Sequence, residues 1–336
     1  MKEFIPERAF IDPASLEYET GKRVLDFLEK FKVPISYTSR VKIEGDTPLE
    51  KYVESKRTIF LTLSKEKKFR PCSPSADFQF SLTRSCPGLC EYCYLQTTQG
   101  ERPYIRIFAN IEDIFHVIQK HIDDNDDKIT TFECSSITDP IPFEAMTGSL
   151  RDTIEFFGKN KNGRLRFVTK YHMIDDLLDV PHNGHSTFRF SINTQKVIRD
   201  FEHNTSSMEE RIRAAGKVCD AGYPIGFIVA PIMRYPHWKM EYQEMMSLLS
   251  RYVCKRDRVI SFELIQHRYT ETAKKLIYSR FPKTKLEMND EKRKLKWGPY
   301  GKFKYVYKKE ESEEIKLHME DLINKYFPNG KVAYFT

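Results

Sequence analysis

Short runs of mostly apolar residues recur through the middle of the chain, at 77–82, 104–108, 129–134, 165–169, 188–192, 225–230 and 259–265. Near-continuous apolar stretches of this length suit strands of a parallel sheet that helices cover on both faces. The intervals between them carry helical periodicity. Ile111, Ile114, Phe115, Ile118 and Ile122 follow Asn110 as N-cap, and Met208, Ile212 and Ala215 follow a capping box at Ser207 and Glu210. The pattern predicts a repeated βα unit. About six such units are too few to close an eight-stranded barrel, so the expected α/β fold is an open, partial (βα)6 barrel with its active face at the strand C-termini.

The flanks have a different character. Asp12 as N-cap, Pro13 at the first helical position and Val24, Leu25 and Leu28 on one face predict a helix, and a strand follows at 58–63. After Phe281-Pro282, basic and aromatic residues interleave around Gly298-Pro299-Tyr300-Gly301, which predicts a β-hairpin. Ile315, Met319, Leu322, Ile323 and Tyr326 then mark one face of a closing helix. The chain is expected to divide into an N-terminal α/β extension at 1–70, the partial barrel at 71–280 and a hairpin with helix at 281–336.

Composition narrows the classes. At 336 residues and 39.8 kDa the chain is long enough for a full enzyme core. Lys+Arg 55 against Asp+Glu 48 leaves +7 with both signs mixed, which suits a polyanionic partner and excludes a charged disordered polymer. No apolar run approaches the ~20 residues of a membrane span. Nothing in the first residues resembles an export signal, so a cytoplasmic site is expected. The sequon Asn204-Thr205-Ser206 is then accidental. Seven cysteines, an odd number with three crowded together, read as thiols or ligands rather than disulfides. Cys219 and Cys254 fall on predicted helices and are assigned to packing.

The crowded three, Cys86, Cys90 and Cys93, form a Cys-x3-Cys-x2-Cys loop directly after a predicted strand. Three thiolates so placed can hold three irons of a [4Fe–4S] cluster and leave the fourth iron open to a reactant. A structural zinc site would call for a fourth nitrogen or sulfur ligand, and none follows at finger-like spacing.

This motif, with the aromatic Tyr92 before its third cysteine, resembles that of the radical S-adenosylmethionine enzymes. The resemblance extends further. Cys93-Tyr94-Leu95-Gln96-Thr97-Thr98, Leu165-Arg166-Phe167-Val168-Thr169-Lys170, Phe188-Arg189-Phe190-Ser191-Ile192-Asn193, Phe262-Glu263-Leu264-Ile265-Gln266-His267-Arg268 and Lys296-Trp297-Gly298 are similar to stretches of the spore photoproduct lyases, from about residue 70 to the end. The resemblance implies a radical S-adenosylmethionine barrel, a [4Fe–4S] cluster on Cys86, Cys90 and Cys93, and S-adenosylmethionine contacts at Thr138, Lys170, Ser191 and Ala230. It implies direct reversal of 5-thyminyl-5,6-dihydrothymine in ultraviolet-damaged DNA. There a 5′-deoxyadenosyl radical removes a hydrogen from the lesion, the methylene bridge breaks, and the thymine radical left behind is given a hydrogen. The lesion must leave the duplex to reach such a centre. An electron donor such as ferredoxin or flavodoxin, a monomeric state and the cytoplasm of a spore-forming bacterium are further expectations of the family.

The chain departs from the family at the hydrogen donor, because Ser136 stands where these lyases usually carry a cysteine. A serine O–H bond is too strong to yield its hydrogen to a carbon radical. Cys72, on a flexible proline-flanked segment before the first barrel strand, is ranked first as donor, and Cys134, two residues before Ser136 and deeper on the same strand, second. Tyr94 and Tyr92 are candidates to relay the radical, against the ordinary reading of buried aromatics as core. For DNA the candidates are Tyr300, Lys302 and Lys304 on the hairpin, and Arg268 with Gln266 and His267 at the last strand end; Pro299 replaces the family's usual arginine beside the tip tyrosine. A charged hairpin that merely solvates an edge competes with this reading. Two other functions stay open: a radical enzyme acting on another nucleic acid or a protein, and a non-catalytic iron–sulfur protein that binds DNA.

Overall fold

The computed structural model describes residues 3–125, 127–253, 259–298 and 303–336. The chain forms two units, one comprising residues 1–87, 99–188 and 221–224, the other 88–98, 189–220 and 225–336. Cys254, Pro299, Tyr300, Gly301 and Lys302 lie outside the described residues.

In the first unit, one sheet has the order Ile35–Tyr37, Arg8–Ile11, Thr58–Thr62, Ile105–Phe108 and Thr83–Arg84, parallel except for the last pair. Ile11, Leu28, Ile59, Leu61 and Ile107 are fully buried in its core. The strand expected at 104–108 as part of the barrel is thus hydrogen-bonded to Thr58–Thr62 instead, with Ile59 opposite Ile105. An apolar run specifies burial but does not name the neighbour that provides it.

The helix expected after Asp12 is two pieces. Asp12 caps a 3-10 turn, Pro13–Glu17, and the α-helix Glu19–Lys30 begins only after the extended residue Tyr18. The turn folds back so closely that a Cβ on Gly21 would lie 1.9 Å from the Ser15 carbonyl oxygen. Asn110 does not cap the helix Ile111–Asp123 with its side chain. Its amide instead accepts from the Ser64 N–H (2.7 Å) and donates to the Ser64 carbonyl (3.1 Å) and Asp113 (2.9 Å), clamping a loop to the helix start.

The first unit also carries the strands Arg70–Cys72, Ala76–Gln79, Thr130–Glu133 and Gly163–Thr169 as consecutive neighbours, antiparallel in the first pair and parallel after it. Phe78 and Leu165 both register with Phe132, which packs edge-on against Phe80 and beside Phe157. The strand Ser186–Ile192 begins in the first unit and ends in the second. There Ile225–Ile232, Ile260–Gln266 and Gly330–Phe335 are parallel neighbours, the last a strand the sequence pattern did not reveal. The helix Met208–Asp220 starts at the expected capping box, with Ser207 Oγ 3.3 Å from the Glu210 N–H and the Glu210 carboxylate 2.7 Å from the Ser207 N–H. The hairpin is present as Arg293–Trp297 against Phe303–Tyr307, and the closing helix as Lys309–Tyr326. No helix among the described residues is long and apolar enough to cross a membrane.

Candidate active site

In the first unit the approach to Cys86 is tightly held. Ser85 has a left-handed backbone, φ 68°, which non-glycine residues rarely adopt. Its N–H donates to the Ile137 carbonyl (3.0 Å), its hydroxyl to the Pro103 carbonyl (2.7 Å), and its own carbonyl accepts from the Thr138 hydroxyl (2.6 Å). The Lys56 ammonium donates to Ser85 Oγ at 2.9 Å. Thr138 is also 2.6 Å from Thr83 Oγ1, so this expected cofactor contact braces the residue before Cys86. Lys170 directly follows the strand Gly163–Thr169. Its N–H donates to Asp139 (2.7 Å), which also accepts from the Thr169 hydroxyl (3.1 Å), so one buried carboxylate ties the loop after Thr130–Glu133 to the end of Gly163–Thr169.

Cys72 is not on a loose segment. It ends the strand Arg70–Cys72, which Pro71 and Cys72 pair to Phe78 and Ala76 in a short hairpin. The link between the strands is anchored by Ser75, whose hydroxyl donates to the buried Glu133 carboxylate (3.0 Å) and whose carbonyl accepts from Arg166. The consequence is a direct contact: Cys72 Sγ lies 3.4 Å from Ser136 Oγ. Cys134 is buried at 1% exposure, and burial pushes its thiol well above the ordinary range.

In the second unit Cys90 closes the short strand Leu89–Cys90, paired with Glu202–His203, and the Cys93 N–H donates to the Cys90 carbonyl (3.2 Å) in the turn between them. A buried polar network supports this turn. Gln96 Nε2 donates to the carbonyls of Cys90 (3.1 Å) and Glu91 (2.6 Å), and Arg280 donates to Gln96 Oε1 (3.2 Å). Glu91 accepts from Thr284 and lies 2.8 Å from His203 Nε2. Glu91 raises the His203 pKa, against its partial burial.

Tyr92 donates to Glu202, whose other oxygen accepts from Arg211 (2.6 Å), and Arg211 in turn donates to the Ser191 carbonyl (2.9 Å). Burial first, then Glu202, holds the Tyr92 phenol far above its ordinary pKa. Tyr94 is 60% exposed, so the two tyrosines of the motif occupy opposite environments. Ser191 is buried within the strand Ser186–Ile192, and Ala230 lies in Ile225–Ile232 beside the cis Ala230–Pro231 peptide. Glu202, Arg211 and Arg280 were missed by the sequence reading, since isolated charges in a helical or loop pattern look like surface residues.

On the hairpin, Lys296 and Lys304 are direct cross-strand partners, and Trp297 faces Phe303 with ring centroids 4.8 Å apart, both exposed. Burial lowers the Lys304 pKa, and the nearby charges of Arg268 and Lys296 lower it further. Like charges directly opposite each other destabilise a sheet unless an anion is shared. His267, by contrast, is buried. Its Nδ1 lies 3.3 Å from the Arg293 guanidinium, and burial followed by Arg293 lowers its pKa to about 3. Burial and Arg293 together favour its neutral form.

The donor chemistry fits an iron–sulfur cluster. Cys86, Cys90 and Cys93 are not joined in disulfides and offer soft sulfur ligands within eight consecutive residues, and the backbone on either side of the loop is held by backbone and side-chain hydrogen bonds. A family model for spore photoproduct lyase matches residues 4–336. The chain is 43% identical to a spore photoproduct lyase of Geobacillus sp. (strain Y412MC61), with all of both chains covered, and 42% identical to that of Bacillus subtilis (strain 168), with 99% of each covered. A solved spore photoproduct lyase complexed with dinucleoside spore photoproduct superposes with TM-score 0.95 at 43% identity over all of both chains. A variant in which a cysteine is replaced by alanine and a serine by cysteine, with bound AdoMet and the dinucleoside lesion, superposes with TM-score 0.95 at 44% identity, again over all of both chains. The fold is therefore the mixed α/β partial barrel of these enzymes, and with sequence, fold and cysteine motif in agreement along its whole length, the chain belongs to the spore photoproduct lyase family.

Proposed function

We propose that the chain is a radical S-adenosylmethionine lyase that returns the spore photoproduct in ultraviolet-damaged DNA to two thymines, with Cys72 as the hydrogen donor. The carrying observation is the full-length match to lyases whose solved complexes hold the lesion and AdoMet, in a chain that keeps the three-cysteine motif. Cys86, Cys90 and Cys93 would hold the cluster, and Thr138, Lys170, Ser191 and Ala230 the S-adenosylmethionine. Reduced at the cluster, S-adenosylmethionine supplies the 5′-deoxyadenosyl radical that abstracts hydrogen from the lesion.

The protein's part after bond cleavage is to deliver one hydrogen atom to a thymine radical. A thiol S–H bond is weak enough for that transfer and a hydroxyl O–H is not, so of the touching pair Cys72 and Ser136 only the cysteine can donate. Cys72 and Ser136 are 64 residues apart, the separation also found between the serine-to-cysteine and cysteine-to-alanine positions of the solved double variant. Cys134 is sealed in the core, which favours Cys72 further. Tyr92 and Tyr94 are the candidate relay that restores the thiol by passing one hydrogen atom, electron and proton together, to the Cys72 sulfur radical; in the resting protein the Tyr92 phenol donates to Glu202.

Lys304, Arg268 and Lys296 supply phosphate contacts, and the exposed Trp297 and Phe303 pair offers a stacking surface beside an extruded step. Lys302 and Tyr300, outside the described residues, complete this assignment from the sequence. The enzyme acts as a monomer in the cytoplasm of a spore-forming cell, with a ferredoxin or flavodoxin as its electron source.

The test is anaerobic reconstitution of the cluster, followed by S-adenosylmethionine, reductant and an oligonucleotide carrying the lesion, with thymine recovery read by chromatography. Recovery of paired thymines is the expected result. Cleavage of S-adenosylmethionine with the lesion intact would overturn the substrate, and absence of cleavage by a fully loaded cluster would overturn the radical chemistry.

A further inference from the structure

The geometry points to Lys56 as the built-in counter-charge of the iron–sulfur cluster, an ammonium fixed one residue from Cys86 that favours the cluster's reduced state. This rests on the assignment of Cys86 as a cluster ligand. Lys56 lies in the last turn of the helix Pro48–Arg57 and is 2% exposed. Its ammonium has three N–H donors. Among the described residues one acceptor meets them, Ser85 Oγ at 2.9 Å, while the Tyr52 ring stands 5.4 Å away. Ser85 donates its own hydrogen to the Pro103 carbonyl at 2.7 Å, so toward Lys56 it acts only as an acceptor. No carboxylate among the described residues pairs with this ammonium.

Two other buried cations have carboxylate partners. Arg189 lies 2.9 Å from Glu263, and Arg211 lies 2.6 Å from Glu202. A buried charge without such a partner is costly, and a lysine in that position calls for an anion from another source. The chain supplies one at the next residue. Three thiolates outweigh the positive charge of the cluster's core, so the assembled cluster is anionic, and it becomes more so when it accepts an electron from an external one-electron reductant. A fixed positive charge at the Cys86 end therefore stabilises the reduced cluster more than the oxidised one. Bracing of Ser85 by Lys56, Ile137, Pro103 and Thr138 keeps that charge in place.

Lys56→Met, Lys56→Gln and Lys56→Arg are compared in the full chain by redox titration of the reconstituted cluster, followed by electron paramagnetic resonance without S-adenosylmethionine. Urea unfolding of the cluster-free proteins is the second readout. Met and Gln are expected to lower the reduced-to-oxidised ratio at fixed potential at least about tenfold, about 59 mV for one electron, while Arg keeps the parent value. Cluster-free Lys56→Met should be as stable as the parent or more so, because without the cluster the buried charge is a burden. An unchanged potential in Met and Gln variants that hold full iron would overturn the proposal, as would an equal shift in the Arg variant. If neither neutral variant retains a cluster, a parent-like urea midpoint supports the counter-charge role and a lowered one shows that Lys56 only holds up the fold.

Discussion

Hydrogen is held much more weakly by sulfur than by oxygen, and the pairing of Cys72 with Ser136 turns on that difference. Their 3.4 Å contact sets Cys72, the proposed donor, against the Ser136 hydroxyl. Cys72→Ala should leave S-adenosylmethionine cleavage intact while clean thymine, separated from diverted by-products by chromatography, falls at least about tenfold. In the proposed mechanism Ser136 orients the thiol, and one hydrogen bond of that kind is worth about 1 kcal/mol. Ser136→Ala should therefore raise the by-product fraction by about threefold to tenfold, and Ser136→Thr should restore it. If the touching positions are interchangeable as donors, Cys72→Ser combined with Ser136→Cys recovers clean repair; failure of that exchange in a folded variant would show that only one of the two points at the substrate. Cys72 was visible in the sequence as a thiol on a proline-flanked segment before the first barrel strand. The contact was not, because 64 residues separate its partners.

Among the elements, the cysteine turn depends on segments remote in sequence. Glu202 and Arg211 are both fully buried, and together they link Tyr92 to the strand that carries Ser191. Removing one partner of a buried ion pair leaves an uncompensated charge, so Arg211→Met should cost about 3–5 kcal/mol in urea unfolding, with much of it recovered when Glu202→Gln is added. The hairpin makes a different demand. Each phosphate contact adds about 0.9 to the slope of log affinity against log salt, so Lys304→Ala and Lys296→Ala should each reduce that slope by about 1 in titrations with undamaged duplex. An unchanged slope would assign these cations to solvation of the hairpin edge. Helix and hairpin positions were legible from local periodicity and turn residues, and the capping box at Ser207 is a case where sequence and structure agree residue by residue. The strand Gly330–Phe335 escaped notice because its partner, Ile260–Gln266, lies far upstream.

At the scale of the whole molecule, two buried titrating groups set opposite pH slopes. Burial, then Arg293, lowers the His267 pKa to about 3, so below its ordinary value near 6.5 the unfolded chain binds a proton that the folded chain refuses, and stability falls as pH falls through that window. Burial raises the Glu144 pKa to about 7, so the folded chain keeps a proton that the unfolded chain has lost above about 4.5, and stability falls as pH rises toward 7. Each slope reaches about 1.4 kcal/mol per pH unit. Urea midpoints from pH 5 to 8 should show Glu144→Gln losing the decline toward neutrality and His267→Gln losing the acid-side decline; identical profiles for variant and parent would remove that group from the account. The sequence by itself determined the βα succession, the ligand loop, the basic aromatic hairpin and the absence of a donor thiol at residue 136, all of which are written in local period, spacing or residue type. Only the tertiary structure decided that the Ile105–Phe108 strand joins the N-terminal sheet, that Cys72 touches Ser136, and that Lys56, Glu202, Arg211 and His267 are buried. The reason is physical: a charged side chain acquires its burial and its partner from residues that folding brings to it, and no local pattern along the chain carries that information.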